Sequence, residues 1–384
     1  MECGSRAAAF LSQPSWRERP WSFKGMVDLR FGGSETGGGA EPCALAAGLR
    51  VEGGCRLPQS KGDVFTRLFA GASGLQCLFG SMKRRQFIPC LAATLTSAAE
   101  VRPARGLHVA TNSYPWGTFA KRENQGFKLF SDEALAAVSS AGVQGYEGSF
   151  SSPEDFNDLG SRLKAHGLEM RSLYVNSTLH DETQGPESLV QVMKIAQQAV
   201  ELGCRIVVTN PSPIRWGGTQ DKSDEQLRLQ AILLNDLGAR LKKIGLTLAY
   251  HNHDVELRAG AREFHHMLTA TDPETVKFCL DAHWIYRGCG NSQVALFDVL
   301  QHYGERVVEL HLRQSGGGVW NEVFTAEGDI HYARLSMWLK ERSIRPHLVL
   351  EQAVEEGSPH TLDAVTAHRQ GQENVRGLFA WMQE

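Results

Sequence analysis

Four apolar runs of this 384-residue chain end in side chains that can hold a metal ion or move a proton. They are LTLAYHNHD (246–254), VKFCLDAH (276–283), VVELHLR (307–313) and HLVLEQ (347–352). Each is rich in strand formers, so a period-two alternation divides its side chains between two faces. In the first, Leu246, Leu248 and Tyr250 oppose Thr247, Ala249, His251 and His253. The same parity sets Phe278 and Leu280 against Cys279, Asp281 and His283, and sets Val308, Leu310 and Leu312 against Glu309, His311 and Arg313. In the last run Leu348 and Leu350 oppose Glu351. With the bulky apolar faces turned to covering helices, His251, Asp281, His311 and Glu351 all point inward near their strand ends. Two imidazoles and two carboxylates converging in this way suit a hard or borderline divalent ion, Mn²⁺, Mg²⁺, Co²⁺ or Zn²⁺.

The elements that must position these groups repeat along the chain. From residue 107 onward, eight short β-rich runs alternate with helical patterns. The junctions AGVQGYEG, HGLEMRSLY, LGCRIVVTN and IGLTLAYHN each place a glycine between a helix end and a strand, as a left-handed C-terminal cap requires. One helix is expected to start at Ser223, with Gln226 three residues on completing a capping box, and another at Pro186, ending at Gly203. Eight strands alternating with helices over residues 102–384 predict a (β/α)₈ TIM barrel, a fold of typically about 250 residues. An open doubly wound sheet is the competing architecture, but no GxGxxG follows an early strand.

The N-terminal quarter reads differently. Residues 1–81 hold 14 of the 39 glycines and four of the eight cysteines, with no sustained hydrophobic period, and read as a disordered or non-native extension. MKRRQFIPCLAATLTSAAE then opens at Met82 with Lys83-Arg84-Arg85, a short apolar run and small residues, the order of an export signal over residues 82–101. The Arg-Arg-x-Phe-Ile order resembles a twin-arginine signal, so Met82 is expected to be the translated start and the product periplasmic, or cytoplasmic if the signal is unused. Replacing Arg84 and Arg85 by lysine should then trap the protein made from Met82 in the cytoplasm. Unchanged export on cell fractionation would sink the twin-arginine reading.

The first 100 residues take 12 of the 40 basic and 8 of the 43 acidic residues, leaving 28 against 35 and a net charge of −7. An acidic body argues against a nucleic-acid partner, and no window approaches 18 consecutive apolar residues, as a spanning helix needs. Cys204, Cys279 and Cys289 alone remain in the body, too few and too odd a set for a disulfide framework.

Residues 107–384 resemble the sugar phosphate isomerase/epimerase superfamily of xylose-isomerase-like barrels, which includes inosose dehydratase-like lyases and, more distantly, endonuclease IV. GLTLAYHNHD, FCLDAHWIYRG, VVELHLRQS and HLVLEQAV carry the likeness. The resemblance implies one divalent ion bound at the ends of strands five to eight, hence by His251, Asp281, His311 and Glu351. His251 departs from it, because sugar epimerases usually have a Glu there that serves as one of two opposed bases.

The chemistry so implied is proton abstraction next to a sugar carbonyl through a metal-stabilised enediolate, giving isomerisation, epimerisation or, with loss of a β-hydroxyl, dehydration of an inosose or 3-keto-glycoside. Glu351 is the expected base, and His253, His283 and Glu147 are candidates for the second acid/base. Arg313 could hold a substrate oxygen or simply pair with Glu309 or Glu351. Trp116, Trp216, Trp284 and Trp320 fall in or beside strand-end loops, where they could stack on a sugar or pack the loops. The expected partner is a small carbohydrate, with neither nucleic acid nor, after signal cleavage, a membrane. A sugar-binding barrel without catalysis and a repair endonuclease are the readings from other classes.

Overall fold

The computed structural model describes residues 106–383. The export segment and the N-terminal extension lie outside these residues.

The barrel strands are β1 (Val109–Asn112), β2 (Gly145–Glu147), β3 (Ser172–Tyr174), β4 (Ile206–Thr209), β5 (Thr247–His251), β6 (Val276–Asp281), β7 (Val307–Leu312) and β8 (His347–Leu350). All neighbouring pairs are parallel, in the order β2-β1-β8-β7-β6-β5-β4-β3. Bridges Gly145↔Glu169 and Ser149↔Tyr174 join β2 to β3 and close the circle. This is the expected (β/α)₈ barrel.

The junction glycines have the predicted left-handed backbone, with φ of 82° at Gly142, 68° at Gly167, 84° at Gly203 and 81° at Gly245. At the second of the two expected helix starts, Ser223 Oγ accepts from the Gln226 N–H while Gln226 Oε1 accepts from the Ser223 N–H at 2.9 Å. The helix Asp224–Lys243 then buries Leu227, Leu234, Leu237 and Leu241 along one stripe. The helix expected from Pro186 begins two residues earlier, at Gln184, because Asp181 Oδ1 accepts from the Thr183 and Gln184 N–H groups.

Strand parity decides the layering. Leu248, Tyr250, Phe278, Leu280, Leu310, Leu312, Leu348 and Leu350 join the main core between barrel and helices, while Val208, Ala249 and Cys279 form a separate small cluster inside the barrel. Val308 breaks the expectation and packs with the inner cluster. The β6–β7 register shifts there, Phe278 pairing with Val307 and Cys279 with Glu309, so Val308 is an extra residue in a bulge.

Burial also sets a pH limit on this fold. Desolvation lowers the pKa of His347 to about 3 and of His368 to about 4, the latter held by the Ala364 carbonyl and stacked on Trp116 at 4.3 Å. A histidine whose folded pKa lies below its unfolded value of about 6.5 leaves the unfolded chain binding protons first as pH falls. The contribution of these two histidines is therefore full above about pH 6.5 and should be lost steadily toward pH 4, by up to about 1.4 kcal/mol per pH unit for each, against buried Glu256 and Asp281, whose raised pKa values act in the opposite sense. Denaturation midpoints measured across that range check it, and a His368→Gln variant should show a shallower slope. A flat profile would remove the argument.

Candidate functional site

The His-Asn-His-Asp end of β5 divides its labour. His251 is buried and faces the barrel axis, its ring centroid 4.6 Å from that of His311. Asn252 turns its amide to the neighbouring strand, exchanging two 3.3 Å hydrogen bonds with the Asp281 backbone. His253 and Asp254 border a cavity above. The strand end is clamped from the other side by Asn210, whose Nδ2 donates to the His251 carbonyl (3.1 Å) and to Glu256 Oε1 (2.9 Å). Glu256 Oε2 in turn accepts from the His253 N–H at 2.7 Å. Nothing in the alternation of the sequence marks Glu256 for this task, since it lies beyond the strand in a single turn of 3₁₀ helix.

His251, Asp281, His311 and Glu351 each bring one donor atom to a common point, all within 4.8 Å of one another. Their arrangement fits a cation in three ways. His251 Nδ1 and Asp281 Oδ2 are buried without a hydrogen-bond partner. His311 Nδ1 and Glu351 Oε2 stand 2.7 Å apart, yet neither makes a properly directed hydrogen bond, which is how two donors sharing one ion are placed. Finally, among the described residues four buried acidic side chains (Glu147, Asp281, Glu309, Glu351) surround this point, and Arg313 is the one permanent cation paired with them. Burial of unbalanced charge is costly, and a divalent ion would offset it. Among the described residues, every such group of candidate ligands contains His311.

The far side of His311 is also built. Its Nε2 lies 3.1 Å from Glu147 Oε1 and 3.2 Å from Glu309 Oε1, and Ser172 Oγ donates to Glu147 Oε2 at 2.6 Å. Burial and the adjacent Glu147 carboxylate push Glu309 well above the ordinary carboxylate range. A carboxylate behind a ligating imidazole fixes its tautomer and orientation. Glu147 thus lies beneath His311 and does not line the cavity.

The helix that follows β6 places His283. Asp281 ends β6 and caps the helix Ala282–Gly288 by accepting from the Trp284 N–H at 3.0 Å, so strand alternation stops before His283. His283 is buried away from the cavity, its Nε2 3.2 Å from Ser315 Oγ.

Arg313 is fully buried and bordered by three aromatic rings, with its guanidinium carbon 4.3 Å from the Trp320 centroid, 5.0 Å from Trp284 and 5.6 Å from Tyr114. Its Nη2 reaches Glu351 Oε1 at 2.9 Å and its Nε donates to the Glu351 carbonyl at 3.1 Å. Arg313 thus pairs with Glu351 and also borders the cavity. Burial works against the Glu351 carboxylate, but Arg313 and His311 outweigh it and hold its pKa well below the usual range. Burial lowers His253 to about 4, leaving a neutral imidazole. Trp284 and Trp216 border the cavity, whereas Trp116 packs on His368 and bonds Thr111.

A closed parallel barrel with this buried cluster and an open cavity at the carboxyl ends of its strands defines the class: a (β/α)₈ barrel whose site lies where such barrels carry their chemistry. The chain belongs to the xylose isomerase-like TIM barrel family, which its residues 135–381 match. An inosose dehydratase of Mesomycoplasma hyopneumoniae is 23% identical over 272 residues, covering 65% of this chain and 89% of the relative. Among solved structures, an L-ribulose 3-epimerase is similar at TM-score 0.54 and 16% identity, over 72% of this chain and 95% of that one. A 3-keto-D-glucoside 4-epimerase from E. coli is similar at TM-score 0.50 and 14% identity, over 72% and 99%. At these identities the two structures speak for the fold.

Proposed function

We propose that this protein is a divalent-metal-dependent sugar isomerase or epimerase that removes a proton next to a carbonyl. The observation that carries the reading is the convergence of His251, Asp281, His311 and Glu351 within 4.8 Å, with His251 and Glu351 also forming part of the cavity wall. A divalent ion held by these four would polarise a substrate carbonyl and stabilise the enediolate charge. Two imidazoles with two carboxylates are a borderline donor set, which suits Mn²⁺, Co²⁺ or Zn²⁺ better than Mg²⁺.

The remaining steps belong to the chain's own groups. Arg313 and His311 favour the ionised form of Glu351, which faces the cavity, so it is placed to take the substrate proton. Arg313 keeps that carboxylate in position and carries donor hydrogens toward the cavity, where a substrate oxygen can take them. His253, neutral and with a buried, unpartnered Nδ1, is the group available for proton transfer at a second face.

Dehydration on the same residues is the second reading, favoured by His251, which stands where a symmetrical epimerase would carry a second carboxylate. The test is a screen of ketoses, inososes and 3-keto-glycosides with metal-loaded protein in deuterated water. Deuterium uptake into an isomeric product supports isomerase or epimerase chemistry, and loss of water supports the lyase. Binding without any exchange would leave only a sugar-binding barrel. Export through residues 82–101 remains part of the proposal.

A further inference from the structure

The cavity above the cluster has a volume of about 770 Å³. Pockets of about 300–1,000 Å³ commonly hold drug-sized ligands, whereas a hexose has only about twelve non-hydrogen atoms. The wall is correspondingly divided. His251, His253, Arg313 and Glu351 form the reactive floor, while Tyr114, Lys121, Phe127, Leu129 and Trp216 border the outer part. The outer wall is also set back at Gly117, where an added Cβ would meet no atom within 4 Å.

Two aromatic rings stand out at this rim. Of the large apolar side chains left exposed among the described residues, Tyr114 (48%) and Trp216 (53%) are the aromatic ones, and both border this cavity. Leaving an aromatic face in water forgoes burial that a ligand can supply, and sugar C–H surfaces stack well on such faces. Each ring also touches the floor. Trp216 stands edge-on to His253 at 5.1 Å, and the Arg313 guanidinium carbon lies 5.6 Å from the Tyr114 centroid. A ligand anchored at the floor and extending outward would pass these two rings.

Charge restricts what that outer part is. Arg313 is engaged by Glu351, and Lys121 is the other Lys or Arg bordering the cavity, whose wall also carries Asp254. A phosphate commonly needs several converging donors or a cluster of basic groups.

We infer that the substrate is a glycoside, with its reacting ring on the floor and a second, uncharged ring joined through the glycosidic bond lying against Tyr114 and Trp216. This rests on the proposed proton-transfer chemistry and narrows its substrate class from sugars in general to two-ring glycosides.

The test compares a 3-keto-glucosyl disaccharide with free 3-keto-glucose, identical at the reacting ring, using metal-loaded full-length protein. Solvent deuterium exchange should show kcat/KM at least about tenfold higher for the disaccharide, on the scale of one good aromatic stacking contact. That preference should shrink by about tenfold in Trp216→Ala or in Tyr114→Ala, both at exposed positions whose folding is checked by circular dichroism. Calorimetric affinities for both probes run in parallel and do not depend on turnover. Equal kcat/KM for the two probes, a preference unchanged in both variants, or tighter processing of a phosphorylated ketose would overturn the inference. If neither probe exchanges, the proposed chemistry fails, and the outer site is still decided by calorimetry, where affinities within threefold of each other would refute it.

Discussion

Replacing Glu351 by glutamine should slow substrate proton exchange by about 10²–10⁴, the usual contribution of a positioned general base. The amide oxygen can still approach the metal position, so some metal and substrate binding should survive. What is lost is a carboxylate at the cavity floor that is directed at the cluster, with its Oε2 2.7 Å from His311 Nδ1. Arg313, buried and paired with Glu351, also loses its charged partner, so the variant's fold and metal content must be measured beside its rate. Wild-type exchange in a metal-loaded Glu351→Gln protein would make Glu351 a ligand alone. The base would then be sought at His253, since Glu147 and His283 lie off the cavity. The companion variant His251→Glu should keep the metal and restore a second carboxylate, and the appearance of exchange at the opposite face would show what the histidine had withheld.

Metal content should fall well below one ion per chain in Asp281→Asn and in His311→Ala, as measured by elemental analysis after dialysis. Asparagine is the sharper choice at Asp281 because its oxygen can still accept from the Trp284 N–H, preserving a helix cap whose loss alone costs about 1 kcal/mol. A stable, folded Asp281→Asn protein without metal therefore isolates the coordination role. Glu147→Gln acts on the cluster through the far nitrogen of His311, and should weaken metal affinity by about ten- to hundredfold, the range found for carboxylates behind a ligating imidazole. Full occupancy in both Asp281→Asn and His311→Ala would remove these residues from the site.

Much of this protein is written locally. Alternation along each run depends on a two-residue backbone period, which is why Tyr250, Phe278, Leu310 and Leu350 could be assigned to the helix side and His251, Asp281, His311 and Glu351 to the axis before any strand was paired. The junction glycines are equally local, since the left-handed cap that each one makes depends on a few neighbouring residues. The repeat of one junction four times is what gave the barrel away.

Tertiary structure decided the rest, for reasons that local periodicity cannot contain. Val308 turned inward because the β6–β7 register shifts between Phe278 and Cys279, a property of two strands about thirty residues apart. His283 left the axis because Asp281 converts the strand into a capped helix, ending the period-two rule one residue too soon. Glu147 was legible as an inward carboxylate on β2, but its depth beneath His311 is set by how β2 sits across the barrel from β7, which no single segment specifies. The sequence by itself determined that His251, Asp281, His311 and Glu351 face the axis. Only the closed barrel, by fixing the relative heights of eight strands, determined which of them meet at the floor of the cavity, which stand behind them, and which aromatic rings guard its mouth.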